Sequence, residues 1–295
     1  VPSSMSVNPI KSHAPAYLPQ MPEREFRFTP DDFERIRKLI YEHAGISLGP
    51  IKQDMVYSRL ARRLRTLNYR TFAEYLAHLE SGDDQEFETF VNSLTTNLTS
   101  FFRESHHFDI LAKYLAESDN RRSIRIWCSA ASTGEEAYSL AMTACEIFNS
   151  DTPPVNIIAS DIDTTVLATG QKGVYSMDRV EKLSPERLRR FFLKGAGDQA
   201  GYVRVQPSLQ KLITFTQVNL LDASLPVKGP FDIIFCRNVM IYFDKPTQYE
   251  ILKKFVQLLS EKGLLFAGHS ESFLHAADLF RPLGRTVYER TDCKQ

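Results

Sequence analysis

The sequence predicts an α/β protein: a parallel sheet with helices on both faces, preceded by a small all-α domain and interrupted by a small β insertion. Three observations predict it. From Ser123 onward, short β-favouring runs alternate with stretches of helical period. Before residue 95 apolar residues recur at helical spacing instead. At residues 124–140, IRIWCSAASTGEEAYSL, an apolar strand runs into a small-residue loop and leaves it as a helix, the layout of a ligand cradle at a strand's carboxyl end.

The 295 residues are 43% hydrophobic, enough for two domains with real cores. Thirty-six basic residues balance 36 acidic ones, so no global field recruits nucleic acid or membrane, and recognition must be local. Cys128, Cys145, Cys236 and Cys293 stand far apart with no CxxC pair, which argues against zinc or a disulfide framework and for a reducing compartment. No apolar run reaches membrane-spanning length, and the first residues lack the basic-then-apolar order of a signal peptide. A cytoplasmic protein is expected.

Residues 1–22, with five prolines among Ser, Asn and His, predict a disordered tail. Thr29 can cap a helix with Pro30 at its first position, Phe33, Ile36 and Ile40 on one face, and Gly45 at its end. A second helix runs over residues 50–67 on Val56, Leu60, Leu64 and Leu67, with Arg59, Arg62, Arg63 and Arg65 on its other face. Thr71 and Glu74 have capping-box spacing for a third, which buries Phe72, Tyr75, Leu76 and Leu79; a fourth carries Phe87, Phe90, Val91 and Leu94. Residues 23–95 thus form a small helical domain.

The segment TTNLTSFFRE, Thr95 to Glu104, breaks the pattern and reads as a functional linker; with the helix holding Phe108, Leu111, Tyr114 and Leu115 it fills residues 96–122. Residues 123–295 then alternate: strands at 124–128, 155–160, 212–217, 231–236, 263–267 and near 286–289, helices at 135–148, 163–170 and 246–259. After a helix from Ser184 to about Phe192, residues 193–211 offer glycine turns and an alternating Val203 and Val205, a β insertion of the kind that carries recognition.

The cradle has neither GxGxxG nor GxxxxGK[ST], so it is not built for phosphate; Gly134 gives room to turn, and Glu135 and Glu136 open the following helix. Only one of the two glutamates can point inward, since they lie about 100° apart around the axis. Asp161, ending the next strand, suits the two hydroxyls of a ribose; the plainer reading is a helix cap, a role better suited to Asp163. Asn219 and Leu220 end another strand with an amide and an apolar chain fit for an adenine. Arg237 and Asn238, followed by Tyr242, stand at the end of the buried strand FDIIFC, where an arginine either faces the ligand crevice or makes a costly interior.

LTTNLTSFFRE, CSAASTGEE, ASDID, VNLLD and FCRNVMIYFD, in this order and spacing, resemble the CheR family of chemotaxis receptor methyltransferases, over roughly Phe26 to Glu289. The resemblance implies a Rossmann-like class I methyltransferase sheet with an inserted antiparallel β subdomain. It implies S-adenosylmethionine as methyl donor, receptor glutamates as acceptors, and glutamate methyl esters plus S-adenosylhomocysteine as products. By position it implies that Asn97, Thr99 and Arg103 close over the donor and that Glu136, assisted by Glu135, contacts its amino acid part. Asp161 would hold the ribose, Asn219 and Leu220 the adenine side, and Arg237 and Asn238 the crevice near the reacting centre, with Arg103 and Tyr242 nearest the transferred methyl.

For the receptor, the arginines 59, 62, 63 and 65 become a face that recognises carboxylates, where residues alone suggest a solvated one. Gly195, Gly197 and Gly201 resemble members whose β subdomain captures a receptor's C-terminal peptide as an added strand; the family often has Arg before the first glycine, and this chain has Lys194. A carboxylate acceptor, with an unperturbed pKa of about 4.3, needs no general base. The rivals are an RNA methyltransferase, disfavoured by the neutral charge and the lack of aromatics among the arginines, and a non-catalytic S-adenosylmethionine-binding module that docks to receptors. The histidines show no ligand spacing, and Ser270, Glu271 and Ser272 lack a nucleophile elbow, which sets aside a metal site and a hydrolase.

Overall fold

The computed structural model describes residues 24–118 and 122–291. The expected disordered tail, residues 1–22, and Cys293 lie outside them.

Four helices build the N-terminal domain: α1 (Pro30–Ala44), α2 (Gln53–Leu67), α3 (Phe72–Glu80) and α4 (Asp84–Leu94). Thr29 caps α1 as its sequence predicts: its Oγ1 accepts from Asp32 N at 3.1 Å while Asp32 Oδ2 accepts from Thr29 N at 2.9 Å. Gly45 ends α1 at φ 66°. The second helix starts later than expected, because Pro50–Lys52 form a turn of 3-10 helix ahead of it. Ile36, Ile40, Val56, Leu60, Leu64, Phe72 and Phe90 meet in one fully buried core. Burying such a side chain contributes about 1.5–3 kcal/mol each, which makes this small domain cohere.

The remaining elements are α5 (His106–Glu117), β1 (Ile124–Cys128), α6 (Glu135–Ile147), β2 (Val155–Asp161), α7 (Thr164–Lys172), β3 (Val174–Ser176), α8 (Met177–Val180), α9 (Pro185–Phe191) and β4 (Phe192–Lys194). They continue with β5 (Tyr202–Val205), α10 (Pro207–Gln210), β6 (Ile213–Gln217), β7 (Phe231–Cys236), α11 (Lys245–Leu258), β8 (Leu259–Ala267), β9 (Phe280–Gly284) and β10 (Val287–Arg290). The main sheet has the order β6-β2-β1-β7-β8-β10-β9. Its first five strands are parallel, and β10 and β9 run antiparallel at the edge. All six side chains of β7 are buried, as a strand covered on both faces requires. One core lies between the sheet and α5 and α6; the other lies on the α11 side, around Trp127, Phe231 and Phe255.

From β1 the chain moves outward through β2 to β6, then returns to β7 and β8 on the other side. The reversal between β1 and β7 opens a crevice at their carboxyl ends.

Three further features differ from expectation. The small antiparallel sheet, β3-β5-β4, takes Val174–Ser176 as a third strand, so the insertion begins before residue 193, and residues 207–210 are helical. Three residues, VYS, carry too little alternation to announce a strand. The edge strand β9 holds Pro282 and Gly284, which hide it in the sequence. Gly134, at φ 97°, does more than turn the chain: a Cβ there would lie 2.9 Å from Gly170 Cα, so the glycine lets α6 start against α7. Gly134→Ala is therefore expected to destabilise the fold by about 1–3 kcal/mol, read as a lower urea midpoint; an unchanged midpoint would contradict the close approach.

Candidate functional site

The crevice is floored by the loop after β1. Ser129 N donates to Phe235 O at 2.9 Å and Ala131 N to Ser160 O at 2.8 Å, so the loop is stitched to the strands on either side. Ser132, in the left-handed region at φ 48°, donates through its N to Asp161 Oδ2 at 2.8 Å and through its Oγ to Asn97 O at 3.0 Å. Asp161 also accepts from Asp163 N at 3.1 Å. Burial pushes the Asp161 carboxyl up to about 6 despite those amide bonds, with the neighbouring Asp163 charge adding to the rise.

Asp163 takes the capping role that sequence assigns it: its Oδ1 accepts from Thr165 N at 2.9 Å, opening α7. Its other oxygen accepts from Thr95 Oγ1 and Asn97 Nδ2, both at 2.8 Å, and so ties the linker to the sheet.

The two glutamates separate as helix geometry demands. Glu135 is fully buried and turned away from the crevice, accepting from Thr133 Oγ1 at 2.6 Å and paired with Arg179 of α8. Glu136 lines the crevice, where Arg237 Nη1 donates to it at 2.7 Å and Cys128 Sγ at 3.2 Å. Arg237 is wholly buried and pairs a second time, with Glu104 of the linker at 3.2 Å.

Glu104 is the residue that sequence reasoning passed over, although it closes the quoted linker segment. Burial would raise its pKa, but bonds from His269, Asn238 and Arg237 together with the Arg237 charge hold it down at about 2. His107 packs behind the same group; burial, with the Arg237 charge adding, drives it down to about 4, so it stays neutral. Glu271, weighed in the sequence only as part of a hydrolase motif and set aside, has a structural role instead. Its Oε2 accepts from Gly268 N at 2.6 Å and Asn238 N at 3.0 Å, which supports Asn238 at φ 59°.

The helical domain supplies a wall. Ser47 N donates to Tyr242 O at 2.8 Å, Asn219 Nδ2 to His43 O at 2.7 Å, and Tyr41 hydroxyl to Asp244 Oδ2 at 2.7 Å. The sequence-predicted residues Asn97, Thr99, Arg103, Glu136, Asp161, Asn219, Leu220, Arg237, Asn238 and Tyr242 all line this one crevice.

The other expected residues lie elsewhere. Arg59 Nη1 donates to the carbonyls of Leu94 and Thr95, at 3.0 and 2.6 Å, closing the end of α4. Arg63 is paired with the buried Glu86, and Arg65 pairs with Glu25 at 2.7 Å, while Arg62 stays exposed. Gly195, Gly197 and Gly201 shape the β4–β5 connection: a Cβ on Gly195 would meet Gln199 O, and the other two have φ 58° and 90°. Among the described residues no group of His, Cys, Asp or Glu is placed to hold a metal, and no helix is long and apolar enough to cross a membrane.

The family described as "CheR methyltransferase, SAM binding domain" matches residues 97–289, and its all-alpha domain matches residues 31–95. The chain belongs to the CheR methyltransferase family. Among its relatives, "Chemotaxis protein methyltransferase 2" of Pseudomonas aeruginosa is 51% identical over 92% of this chain and 96% of its own length. "Chemotaxis protein methyltransferase" of Escherichia coli is 50% identical over 92% of this chain and 94% of its own. The Salmonella typhimurium protein of the same name is 49% identical over 87% and 88%.

This CheR chain is thus an S-adenosylmethionine-dependent methyltransferase, and its crevice fits that donor. Arg237 Nε is buried in the crevice wall with no partner among the described residues, while carboxylates, amides and apolar side chains face the same space.

The Asp161 carboxyl gives a direct test of the crevice's dryness. Its folded pKa lies above the unfolded value of about 3.9, so the stability linked to its proton is complete below about pH 4 and is lost as pH rises through about 6. D161N removes that titration. The stability difference between D161N and the unsubstituted chain is expected to move in the variant's favour from about pH 4 to about pH 7, measured by urea titration; a constant difference would contradict it.

Proposed function

We propose that this chain transfers the methyl group of S-adenosylmethionine to glutamate side chains of chemoreceptors, in the cytoplasm, leaving glutamate methyl esters. The observation that carries the reading is one crevice that gathers Asp161, Glu136, Asn219, Leu220, Arg103 and Tyr242 from five separate segments. The relatives' names supply chemotaxis, and the sequence resemblance supplies glutamate as acceptor. Three buried free cysteines, Cys128, Cys145 and Cys236, favour a reducing compartment.

In this reading Asp161 holds the ribose hydroxyls. Leu220 and Asn219 flank the adenine, Glu136 takes the donor's ammonium, and Asn97 and Thr99 cover it from the linker. Arg237 and Asn238 wall the crevice beside the donor's amino acid part. The bound donor supplies an electrophilic methyl on a sulfonium. The acceptor is a carboxylate at neutral pH, so no residue must take a proton from it. Charge is lost as the methyl moves, and a crevice shielded from water favours that collapse. Arg103 and Tyr242 orient the carboxylate for in-line approach; a tighter clamp would stabilise the ground state instead.

Recognition of the receptor rests on two surfaces. Arg62 is the arginine of the basic helix best placed to meet acceptor-segment carboxylates, since Arg59, Arg63 and Arg65 have partners inside the chain. In the small sheet, Gly195 N bonds to Tyr202 O on the β5 side, so by alternation Phe192 and Lys194 turn their backbone groups toward the free edge of β4. That edge suits an added strand from a receptor's C-terminal peptide.

Radiolabelled donor incubated with receptor-containing membranes tests the reading: label should enter receptor protein in base-labile form. Base-stable label, or label in RNA, overturns it. Arg103→Ala is expected to lower transfer about 100-fold while the Kd for S-adenosylhomocysteine, from titration calorimetry, changes less than about threefold. Parallel loss of both would show that Arg103 serves donor binding instead.

A further inference from the structure

Glu104 is not among the residues that line the crevice, yet it is bonded to two that are. Arg237 Nη2 lies 3.2 Å from its Oε2, and Asn238 Nδ2 donates to its Oε1 at 3.2 Å. Arg237 in turn gives Nη1 to Glu136 Oε2 at 2.7 Å. One wholly buried guanidinium therefore bridges two carboxylates whose side chains are only 10% and 12% exposed. Arg237 paired with Glu136 alone would be locally neutral. The second carboxylate leaves one negative charge over.

We propose that Glu104 is a positioning residue for the donor, acting through Arg237: it takes up part of the guanidinium, so that Glu136 keeps the net charge that captures the donor's ammonium. This rests on Glu136 meeting that ammonium, as argued above.

The groups around the three side chains leave the charge count intact. Burial pushes the Cys128 thiol well up, so it stays protonated. His107 Nδ1 lies 3.6 Å from Glu104 Oε2, but burial and the Arg237 charge hold that ring down at about 4, so it is neutral. His269 bonds Glu104 through its backbone N at 3.1 Å and its ring Nδ1 at 2.9 Å, and its side chain is 68% exposed, where water and salt screen any charge on it. Arg103 is engaged elsewhere, its Nη1 donating to Leu98 O at 2.8 Å.

Glu136 has room for the ligand. Its Oε2 takes Arg237, whereas its Oε1 meets the Cys128 thiol at 3.2 Å, a weak donor that an ammonium outcompetes. Without the Glu104 charge the guanidinium would rest wholly on Glu136. In a poorly hydrated site that one-to-one pair offers a cation little attraction. The site's preference for a cationic amino acid part over a bare nucleoside thus depends on a carboxylate that touches neither.

Titration calorimetry at neutral pH with two ligands tests this. Decarboxylated S-adenosylhomocysteine keeps the ammonium and lacks the carboxylate; 5′-methylthioadenosine lacks both. The ratio of their affinities reads the charge at Glu136 and cancels any general loosening of the crevice. Glu104→Gln is expected to lower the preference for the ammonium ligand at least about tenfold, with methylthioadenosine affinity within about threefold of the unsubstituted chain. Glu104→Asp, which keeps the charge, is expected to hold the preference within about threefold even where both ligands bind less tightly. An unchanged preference in Glu104→Gln, parallel loss of both ligands in that variant, or an equal fall in Glu104→Asp overturns the proposal. Glu136→Gln is the separate check on the reading beneath it. If that variant keeps the preference, Glu136 does not meet the ammonium and that assignment fails; if it loses the preference while Glu104→Gln keeps it, only the role of Glu104 fails.

Discussion

A single buried guanidinium sets the geometry of this molecule's crevice. Arg237 stands at the end of the fully buried strand β7, where an unpaired charge would carry a desolvation penalty of several kcal/mol. Two carboxylates neutralise it, Glu136 from the first turn of α6 and Glu104 from the linker. The pairing forces strand, helix and linker to converge. Glu104 then reaches on to His269 N at 3.1 Å and Asn238 Nδ2 at 3.2 Å, which draws in the segments after β7 and β8. Phe102 and Glu104 adopt positive φ of 51° and 56° along the way, a local strain tolerated because the electrostatic contacts over-determine the linker's path.

From that point the crevice follows. The linker, once anchored, carries Asn97, Thr99 and Arg103 across the carboxyl ends of β1 and β2. Its far end is tied by Thr95 and Asn97 to Asp163, so both ends of the cover are fixed to the sheet. The helical domain is continuous with this cover and leans on the 3-10 turn at Tyr242 and on Asn219. The small β sheet is joined to the same floor: Tyr175 hydroxyl donates to Thr133 O at 2.7 Å, and Arg179 pairs with Glu135. All three parts of the chain therefore meet at the cradle; the helical domain keeps a core of its own, whereas Tyr175, Phe192, Val203 and Val205 of the small sheet share one with α5, α6 and the main sheet.

Much of this was legible in the sequence because it depends on local patterns. Helical period and caps placed α1 to α4, and strand–helix alternation placed the five parallel strands and hence the crevice. Ten of the residues that line it were legible: Asp161, Asn219, Leu220, Arg237 and Asn238 from their places at or just past strand ends, Glu136 from the helix that leaves the cradle, Tyr242 from the segment after β7, and Asn97, Thr99 and Arg103 through the family resemblance. Pairing decisions were not legible. Nothing local in VYS or FRPLG announces β3 and β9, which exist because a neighbouring strand offers an edge. Which of Glu135 and Glu136 faces inward depends on the helix's rotation against the sheet. Arg59 and Arg63 look like a solvated or partner-binding face until the C-terminal carbonyls of α4 and the buried Glu86 are brought opposite them in space. Glu104 and Glu271 follow the same rule: a carboxylate's importance shows only when the buried groups it satisfies are known.

The most direct measurement is a crystal structure of the chain with S-adenosylhomocysteine. It should show the ribose hydroxyls on Asp161, the adenine between Leu220 and Asn219, and the amino acid part beside Glu136, with Arg237 still held between Glu136 and Glu104. A nucleoside bound outside this crevice, or an Arg237 released from both carboxylates, would contradict the account.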